Sequence, residues 1–149
     1  MSPCATAAPA QMTLPRDVAA IPVARERAAA VVADRSCADA VRLLVTELVT
    51  NSVRYASGPQ VRLRVAPTPD RVRVEVSDDG PGFTGPHTPD PVNGGGYGLV
   101  LVERLADDWG VCRHEQATTV WFEMPCSRQR RRGCRRDVAS REWTPPRIR

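Results

Sequence analysis

Glu47 and Asn51 are polar side chains within an otherwise apolar helical pattern. They lie four residues apart, so both side chains leave the same face of the predicted helix, one turn from each other. On a helical wheel they fall at the edge of the apolar stripe, where a carboxylate and a carboxamide face the margin of the core. On this helix alone a solvated polar flank is the simpler interpretation, and only sequence further along the chain favours a site.

Asp78 is a second polar residue in an unusual place, because it continues the alternation of a predicted strand. The pattern directs Asp78 to the buried side and Asp79 to the exposed side. A carboxylate on an apolar face is costly unless it is hydrogen-bonded, although an Asp that caps a strand end is an alternative. Gly80 and Gly82 complete an Asp-x-Gly-x-Gly motif, in which glycines let the backbone approach a ligand closely. The alternating residues that lead to Asp78 are Val72, Val74 and Val76.

A glycine-rich segment, Gly94–Gly98, stands directly before a predicted amphipathic helix that begins at Leu99. It ends a loop rich in proline, glycine and threonine that begins at Phe83. A glycine-rich loop that leads into a helix N-terminus offers unpaired N–H groups and the positive end of the helix dipole, which suit a phosphate group. Taken alone, such a loop is more often a plain linker.

These residues require a scaffold of helices and strands, which the hydrophobic periodicity predicts. A period of 3.6 indicates helices and a period of 2 indicates strands. We therefore expect an α+β fold: a two-layer α/β sandwich with a mixed, mainly antiparallel sheet and helices on one face. The predicted helices are Pro22–Ala33, Ala38–Ala56 and Leu99–Trp109, and the predicted strands are Val61–Val65, Val72–Val76, Val111–Glu115 and Thr118–Met124, joined by a strand near Met12–Leu14.

The length of 149 residues suits one domain, and composition divides the chain into three parts. We predict a flexible leader at residues 1–13, a folded domain at 14–126 and a disordered Arg-rich tail at 127–149. Residues 1–126 carry 12 Arg against 15 Asp and Glu, whereas the tail carries 9 Arg against 2 acidic residues. The folded part is thus mildly acidic, and attraction to nucleic acid is expected only nonspecifically, through the tail.

The cysteines and the apolar segments indicate a cytoplasmic protein. The five cysteines are scattered and include no Cys-x-x-Cys pair, which argues against a disulfide framework and a zinc site and favours unpaired thiols in a reducing cytoplasm. No run of 18 apolar residues predicts a membrane span, and the N-terminus lacks the pattern of a signal peptide. The cysteines are Cys4, Cys37, Cys112, Cys126 and Cys134.

Four motifs in this order resemble the GHKL ATPases, a superfamily that includes gyrase B, histidine kinases and anti-sigma-factor serine kinases. The last group is the most similar in size and in its short lid, and the resemblance covers roughly Leu14–Pro125. The motifs are Glu47-Leu-Val-Thr-Asn51, Asp78-x-Gly80-x-Gly82, Gly94-x-Gly96-x-Gly98-Leu99 and Thr118-Thr119-Val120. Each motif is weak alone, but the four together are specific.

The resemblance implies a role for each polar residue of these motifs. Asn51 would hold Mg²⁺ through its side-chain oxygen, a ligand type that this hard cation accepts. Glu47 would act as the general base on a serine hydroxyl, and Asp78 would accept a hydrogen bond from the amino group of adenine. Thr118 would support the adenine site. It is favoured over Thr119 because the alternation of side chains along the predicted strand directs Thr118 to the buried face.

The resemblance also implies that backbone groups of the glycine motifs contact ATP. Gly80 and Gly82 would let adenine approach the chain. The N–H groups of the later motif would bind the phosphates. The residues of that later motif are Gly94, Gly96, Gly98 and Leu99.

The function implied by the resemblance is that of an ATP-dependent serine/threonine kinase. Such a protein would sequester a sigma factor and phosphorylate a STAS-type anti-anti-sigma antagonist, and it could assemble as a homodimer. An alternative from another class is a non-catalytic ATP-binding module that regulates a partner according to its nucleotide state.

Overall fold

The computed structural model describes residues 8–80 and 97–129. Within these two ranges the chain forms five strands and three helices. Their bounds are β1 Ala10–Pro15, α1 Ala20–Val31, α2 Ala38–Tyr55, β2 Gln60–Pro67, β3 Arg71–Asp79, α3 Tyr97–Leu105, β4 Asp108–His114 and β5 Ala117–Pro125. These elements confirm the predicted α+β class.

The five strands form one sheet in the order β1-β2-β3-β5-β4. Every neighbouring pair is antiparallel, so the expectation of a mixed sheet was wrong in this detail. Short turns account for two of these pairs, because strands joined by a few residues can only run in opposite directions. Residues 68–70 join β2 to β3, and residues 115–116 join β4 to β5.

The helices cover one face of the sheet, as predicted, and the core lies between the two layers. Alternate residues of β2, β3 and β5 face α1 and α2, which is why the sequence alternates between apolar and polar. The apolar stripe of α2 is buried along the helix. The core side chains include Leu44, Val45, Val49, Leu63, Val74 and Phe122.

The third helix ends earlier than its periodicity predicted. It stops at Leu105, and Trp109, predicted as its last residue, belongs to β4. The chain already joins the sheet at Asp107, whose N–H donates to Glu123 O, and Trp109 is the register partner of Phe122. Pairing with β5 therefore overrides the local helical pattern.

Both predicted domain boundaries require correction. The first strand begins at Ala10, so residues 10–13 of the predicted leader are part of the sheet. At the other end, Ser127 O accepts a hydrogen bond from the N–H of Ser36, and the N–H of Gln129 donates to Asp34 O. The ordered chain thus continues past the predicted start of the tail, and residues from 130 onward lie outside the described ranges.

A disulfide joins Cys37, which precedes α2, to Cys126, which follows β5. The expectation of unpaired thiols was wrong for these two cysteines, which are 89 residues apart in sequence and meet only through the fold. Among the described residues, Cys112 is a free and exposed cysteine.

The disulfide lies beside a buried arginine. Arg35 is 3% exposed, and its guanidinium donates to the carbonyls of Thr68 and Cys126. It thereby joins the segment before α2, the β2–β3 turn and the end of β5.

Within residues 8–80 and 97–129, no helix is long and apolar enough to span a bilayer.

Candidate functional site

Glu47 and Asn51 lie on α2 and are half-buried, at the margin of the core that the helical pattern predicted. The start of α3 packs against them. A Cβ atom placed on Gly98 would lie 3.1 Å from Asn51 Nδ2 and 3.2 Å from Glu47 Cβ. The glycine at this position therefore permits a close approach of the α3 backbone to both polar side chains.

A small cavity opens next to Asn51, between α2, the start of α3 and the inner face of the sheet. Apolar side chains form most of its wall, and Asn51, Asp78 and Thr118 contribute polar groups. Such a mixture of an apolar wall and a few convergent polar groups is typical of a small-molecule site. The lining residues are Leu48, Asn51, Ser52, Tyr55, Asp78, Leu99, Thr118 and Val120.

Asp78 has the most unusual electrostatic environment of these residues. Its Oδ1 is buried and has no hydrogen-bond partner among the described residues. Burial raises the pKa of this carboxyl group, and the negative charge of Asp79 raises it further. Hydrogen bonding to Ser52 and the positive charges of Arg62 and Arg16 act in the opposite direction, but the net pKa remains above the ordinary value.

A buried acceptor such as Asp78 Oδ1 requires a hydrogen-bond partner, since buried polar groups in native proteins are almost always hydrogen-bonded. A ligand that carries an N–H group, such as the amino group of adenine, fits this requirement.

Thr118 lies directly opposite Asp78 in the register of β3 and β5. It is 4% exposed and faces the cavity, and its Oγ1 lies 3.5 Å from Gly80 O. Thr119 points to the other face of the sheet, where its hydroxyl bonds to that of Ser77 at 2.7 Å. The structure therefore places Thr118, and not Thr119, on the side predicted from strand parity.

Gly80 directly follows β3 and has a positive φ of +127°, a backbone conformation that favours glycine. Its N–H donates to Gln116 O at 2.9 Å, and a Cβ atom here would lie 2.5 Å from Ser57 Oγ. The turn itself therefore requires this glycine, a reason that the motif did not reveal. The other predicted glycines, Gly82, Gly94 and Gly96, lie outside the described residues.

Two site residues escaped the sequence analysis. Ser52 lies within the buried stripe of α2 and lines the cavity, and a hydroxyl next to Asn51 at that position was a usable signal. Arg16 offered no local pattern, because its side chain bonds to Val53 O and Gly58 O, which are 37 and 42 residues away in sequence.

Comparison with known proteins agrees with this geometry. Residues 7–124 match the family described as Histidine kinase-like ATPase domain. The chain is similar to the serine-protein kinase RsbW of Bacillus subtilis (strain 168), with 33% identity over 94 residues. That match covers 52% of the chain and 59% of the relative, so the chain spans less than two thirds of the length of the relative.

The fold is also similar to a solved structure of the RsbU and RsbW domains of Rv1364c from Mycobacterium tuberculosis. The TM-score is 0.59 and the sequence identity is 19%. The similarity covers 82% of this chain and 33% of the other.

Proposed function

Because the chain belongs to the histidine kinase-like ATPase family, we propose that the cavity beside α2 binds ATP. The observation that carries this proposal is the buried Oδ1 of Asp78, which lacks a partner among the described residues and faces an apolar cavity. An ionised carboxylate accepts hydrogen bonds but does not donate them, so it favours adenine, which presents an amino group. The hydroxyl of Thr118 lies beside it and would support the same edge of the base.

The phosphate end of the nucleotide would extend toward Asn51 and the start of α3. The side-chain oxygen of Asn51 suits Mg²⁺, which commonly takes one or two protein ligands and completes its shell with phosphate oxygens and water. The backbone N–H groups of Gly98 and Leu99 belong to the first turn of α3, where helices bind anions. Bound Mg²⁺ would neutralise charge on the transferred phosphoryl group.

We propose further that the protein is a serine/threonine kinase. Glu47, one helical turn before Asn51, would take the proton of a serine hydroxyl as that oxygen bonds to the γ-phosphorus and ADP leaves. The name of the relative from Bacillus subtilis, a serine-protein kinase, supports this reaction class.

The proposed substrate is an anti-anti-sigma antagonist of the STAS type, and the proposed regulatory partner is a sigma factor. Support comes from the four motifs that resemble those of anti-sigma-factor kinases. A homodimer and a cytoplasmic location are part of the same proposal; the location no longer rests on unpaired thiols, since Cys37 and Cys126 form a disulfide.

A non-catalytic ATP-binding module is the second candidate. The observation that favours it is the absence of lysine from the sequence, so that no lysine ammonium group can contact the phosphates. Such a module would bind its partner in one nucleotide state and release it in another.

Labelled ATP and a candidate antagonist would distinguish the two functions. We expect the wild type to bind Mg·ATP in calorimetry and to produce phosphoserine on the antagonist. Tight binding without phosphoserine would favour the module, and the absence of ATP binding would contradict both. Asp78→Asn provides the control for binding at the proposed site.

A further inference from the structure

Arg16 connects the end of β1 to the segment that follows α2. Its backbone N–H donates to Pro59 O at 2.8 Å. Its guanidinium donates through Nε to Gly58 O and through Nη1 to Val53 O, the latter at 2.9 Å. One residue thus holds the α2–β2 connection at three points.

The carbonyls that Arg16 binds lie next to the proposed nucleotide site. Val53 is in the last turn of α2, where carbonyls lack partners within the helix, and it follows Ser52, which lines the cavity. Gly58 is packed against Asp79: its N–H donates to Asp79 O at 3.3 Å, and a Cβ atom would lie 2.4 Å from Asp79 Cβ. The position of Arg16 therefore determines how α2 and the end of β3 meet beside Asp78.

Arg16 also brings a positive charge toward Asp78. Charged groups approach this carboxylate from three elements: Arg16 follows β1, Arg62 is on β2, and Asp79 is on β3 itself. The guanidinium of Arg62 is paired with Asp79 Oδ1 at 3.0 Å. Among the ion pairs of the described residues, none includes Arg16.

We propose that Arg16 is a positioning residue of the nucleotide site, which fixes the C-terminal end of α2 and the segment after it through the carbonyls of Val53 and Gly58 and stabilises the negative charge of Asp78. This inference rests on the proposed binding of ATP. The charge of Asp78, however, is also a property of the nucleotide-free protein, and it can be measured there. Arg16 and Arg62 both lower the pKa of Asp78, against the effect of burial, so loss of either charge raises that pKa.

Two substitutions separate the contacts of Arg16 from its charge. Arg16→Lys keeps the charge but loses the planar fork that binds two carbonyls, whereas Arg16→Gln keeps donor groups and removes the charge. We expect Arg16→Gln to raise the titration midpoint of Asp78, followed by carboxyl ¹³C NMR without nucleotide. We expect Arg16→Lys to leave that midpoint in place and to weaken ATP binding about fivefold in calorimetry.

Arg42→Met is the matched control, because the ion pairs that Arg42 forms within residues 8–80 and 97–129, with Glu26 and Asp39, are exposed. It should change neither the midpoint nor the affinity for ATP. An unchanged midpoint in Arg16→Gln would overturn the charge role, and wild-type affinity in Arg16→Lys would overturn the positioning role. If the wild type does not bind ATP, the proposed function fails, and the titration of Asp78 still decides whether Arg16 acts on its charge.

Discussion

Asp78 on β3 and Thr118 on β5 are register partners, and both side chains face the cavity beneath α2. One presents a buried oxygen without a partner among the described residues, and the other presents a hydroxyl that can donate or accept. Opposing residues on adjacent strands have Cβ atoms about 5 Å apart, a spacing that allows two side chains to contact one edge of a purine. The sheet itself therefore sets the geometry of the proposed adenine site.

Substitution of Asp78 with asparagine should have opposite effects on binding and on stability. The amide can present an N–H group where adenine needs an acceptor, so we expect a loss of about 2 kcal/mol or more in ATP binding, measured by calorimetry. Burial raises the pKa of Asp78 in the folded protein, so its ionised form destabilises the fold at neutral pH. The nucleotide-free variant should therefore be more stable than the wild type at pH 7.

This stability difference has a defined pH dependence. Since the folded pKa of Asp78 is the higher one, the cost of its charge is present above that pKa and disappears as the pH falls through it. Denaturant midpoints at several pH values should show the two proteins converging in acid. Asp107→Asn is the control, because Asp107 forms an accessible ion pair with Arg71 and is not among the charges that shift the pKa of Asp78, and such pairs contribute about 1 kcal/mol or less. Unchanged ATP affinity in Asp78→Asn would contradict the adenine assignment.

Gly98→Ala should impair the site more than the fold. A methyl group here would lie 3.1 Å from Asn51 Nδ2 and 3.2 Å from Glu47 Cβ, so these side chains must shift by a few tenths of an ångström, at a cost of about 1 kcal/mol. Alanine also raises helix propensity by about 1 kcal/mol, which offsets that cost in stability. We expect a nearly unchanged unfolding midpoint and an affinity for Mg·ATP about tenfold weaker.

The control on the same helix is Leu105→Ala, because Leu105 is exposed and lies at the far end of α3. Equal ATP affinity in the Gly98 and Leu105 variants would show that the start of α3 does not contribute to the site.

The disulfide between Cys37 and Cys126 should contribute substantially to stability. In the chain-entropy account, a cross-link that closes a loop of 89 residues stabilises the fold by about 4–5 kcal/mol. A reducing agent should therefore lower the urea midpoint of the wild type, and the double variant Cys37→Ser/Cys126→Ser should no longer respond to it. Cys112→Ser, at an exposed free thiol, should behave as the wild type. Equal urea midpoints of the wild type with and without the reducing agent would contradict this contribution.

Truncation experiments should reflect the corrected end of the domain. The family resemblance ends at Pro125, but the next residue, Cys126, is buried, forms the disulfide and accepts a hydrogen bond from Arg35. We expect a chain cut after Gln129 to keep its melting temperature within about two degrees, because the composition beyond it predicts little burial. A chain cut after Pro125 should melt much lower. Equal melting temperatures would show that residues 126–129 do not stabilise the domain.

The parts of the fold that the sequence predicted are those with a local period. The α2 helix was predicted at Ala38–Ala56 and ends one residue earlier, and the alternating valines defined the β2–β3 hairpin. The end of α3 was missed because pairing of β4 with β5 decides it, and such pairing has no local signature. The contact of Cys37 with Cys126 is likewise set by the path of the chain.

In the candidate site, too, the residues that could be predicted are those that a local pattern places. Strand parity directed Asp78 and Thr118 to the inner face, since side chains alternate along a strand wherever it pairs. Arg16 was not predicted, because its partners are backbone carbonyls, which any residue can supply and which leave no trace in the sequence. The roles assigned to Glu47 and Asn51 remain predictions, because the geometry shows their placement and not their chemistry.

Glu47 and Asn51 share one face of α2, yet substitutions of these two residues should impair different steps of the proposed reaction. Asn51→Ala removes the proposed Mg²⁺ ligand, so it should weaken both Mg·ATP binding and phosphorylation of the antagonist. Glu47→Gln keeps size and hydrogen-bonding capacity but removes the proposed general base. It should preserve ATP affinity and slow phosphoryl transfer by roughly 10²–10⁴, the usual contribution of a general base.

Binding of the proposed sigma-factor partner would separate the loss of chemistry from the loss of the site. It should survive Glu47→Gln, because it would require bound nucleotide and not phosphoryl transfer, and it should weaken in Asn51→Ala. Calorimetry with Mg·ATP, a phosphoserine assay and a sigma-factor binding assay on the same preparations would measure all three properties. Phosphorylation at the wild-type rate by Glu47→Gln would reduce Glu47 to a polar flank of the helix, whereas a wild type without any transfer would favour the non-catalytic module.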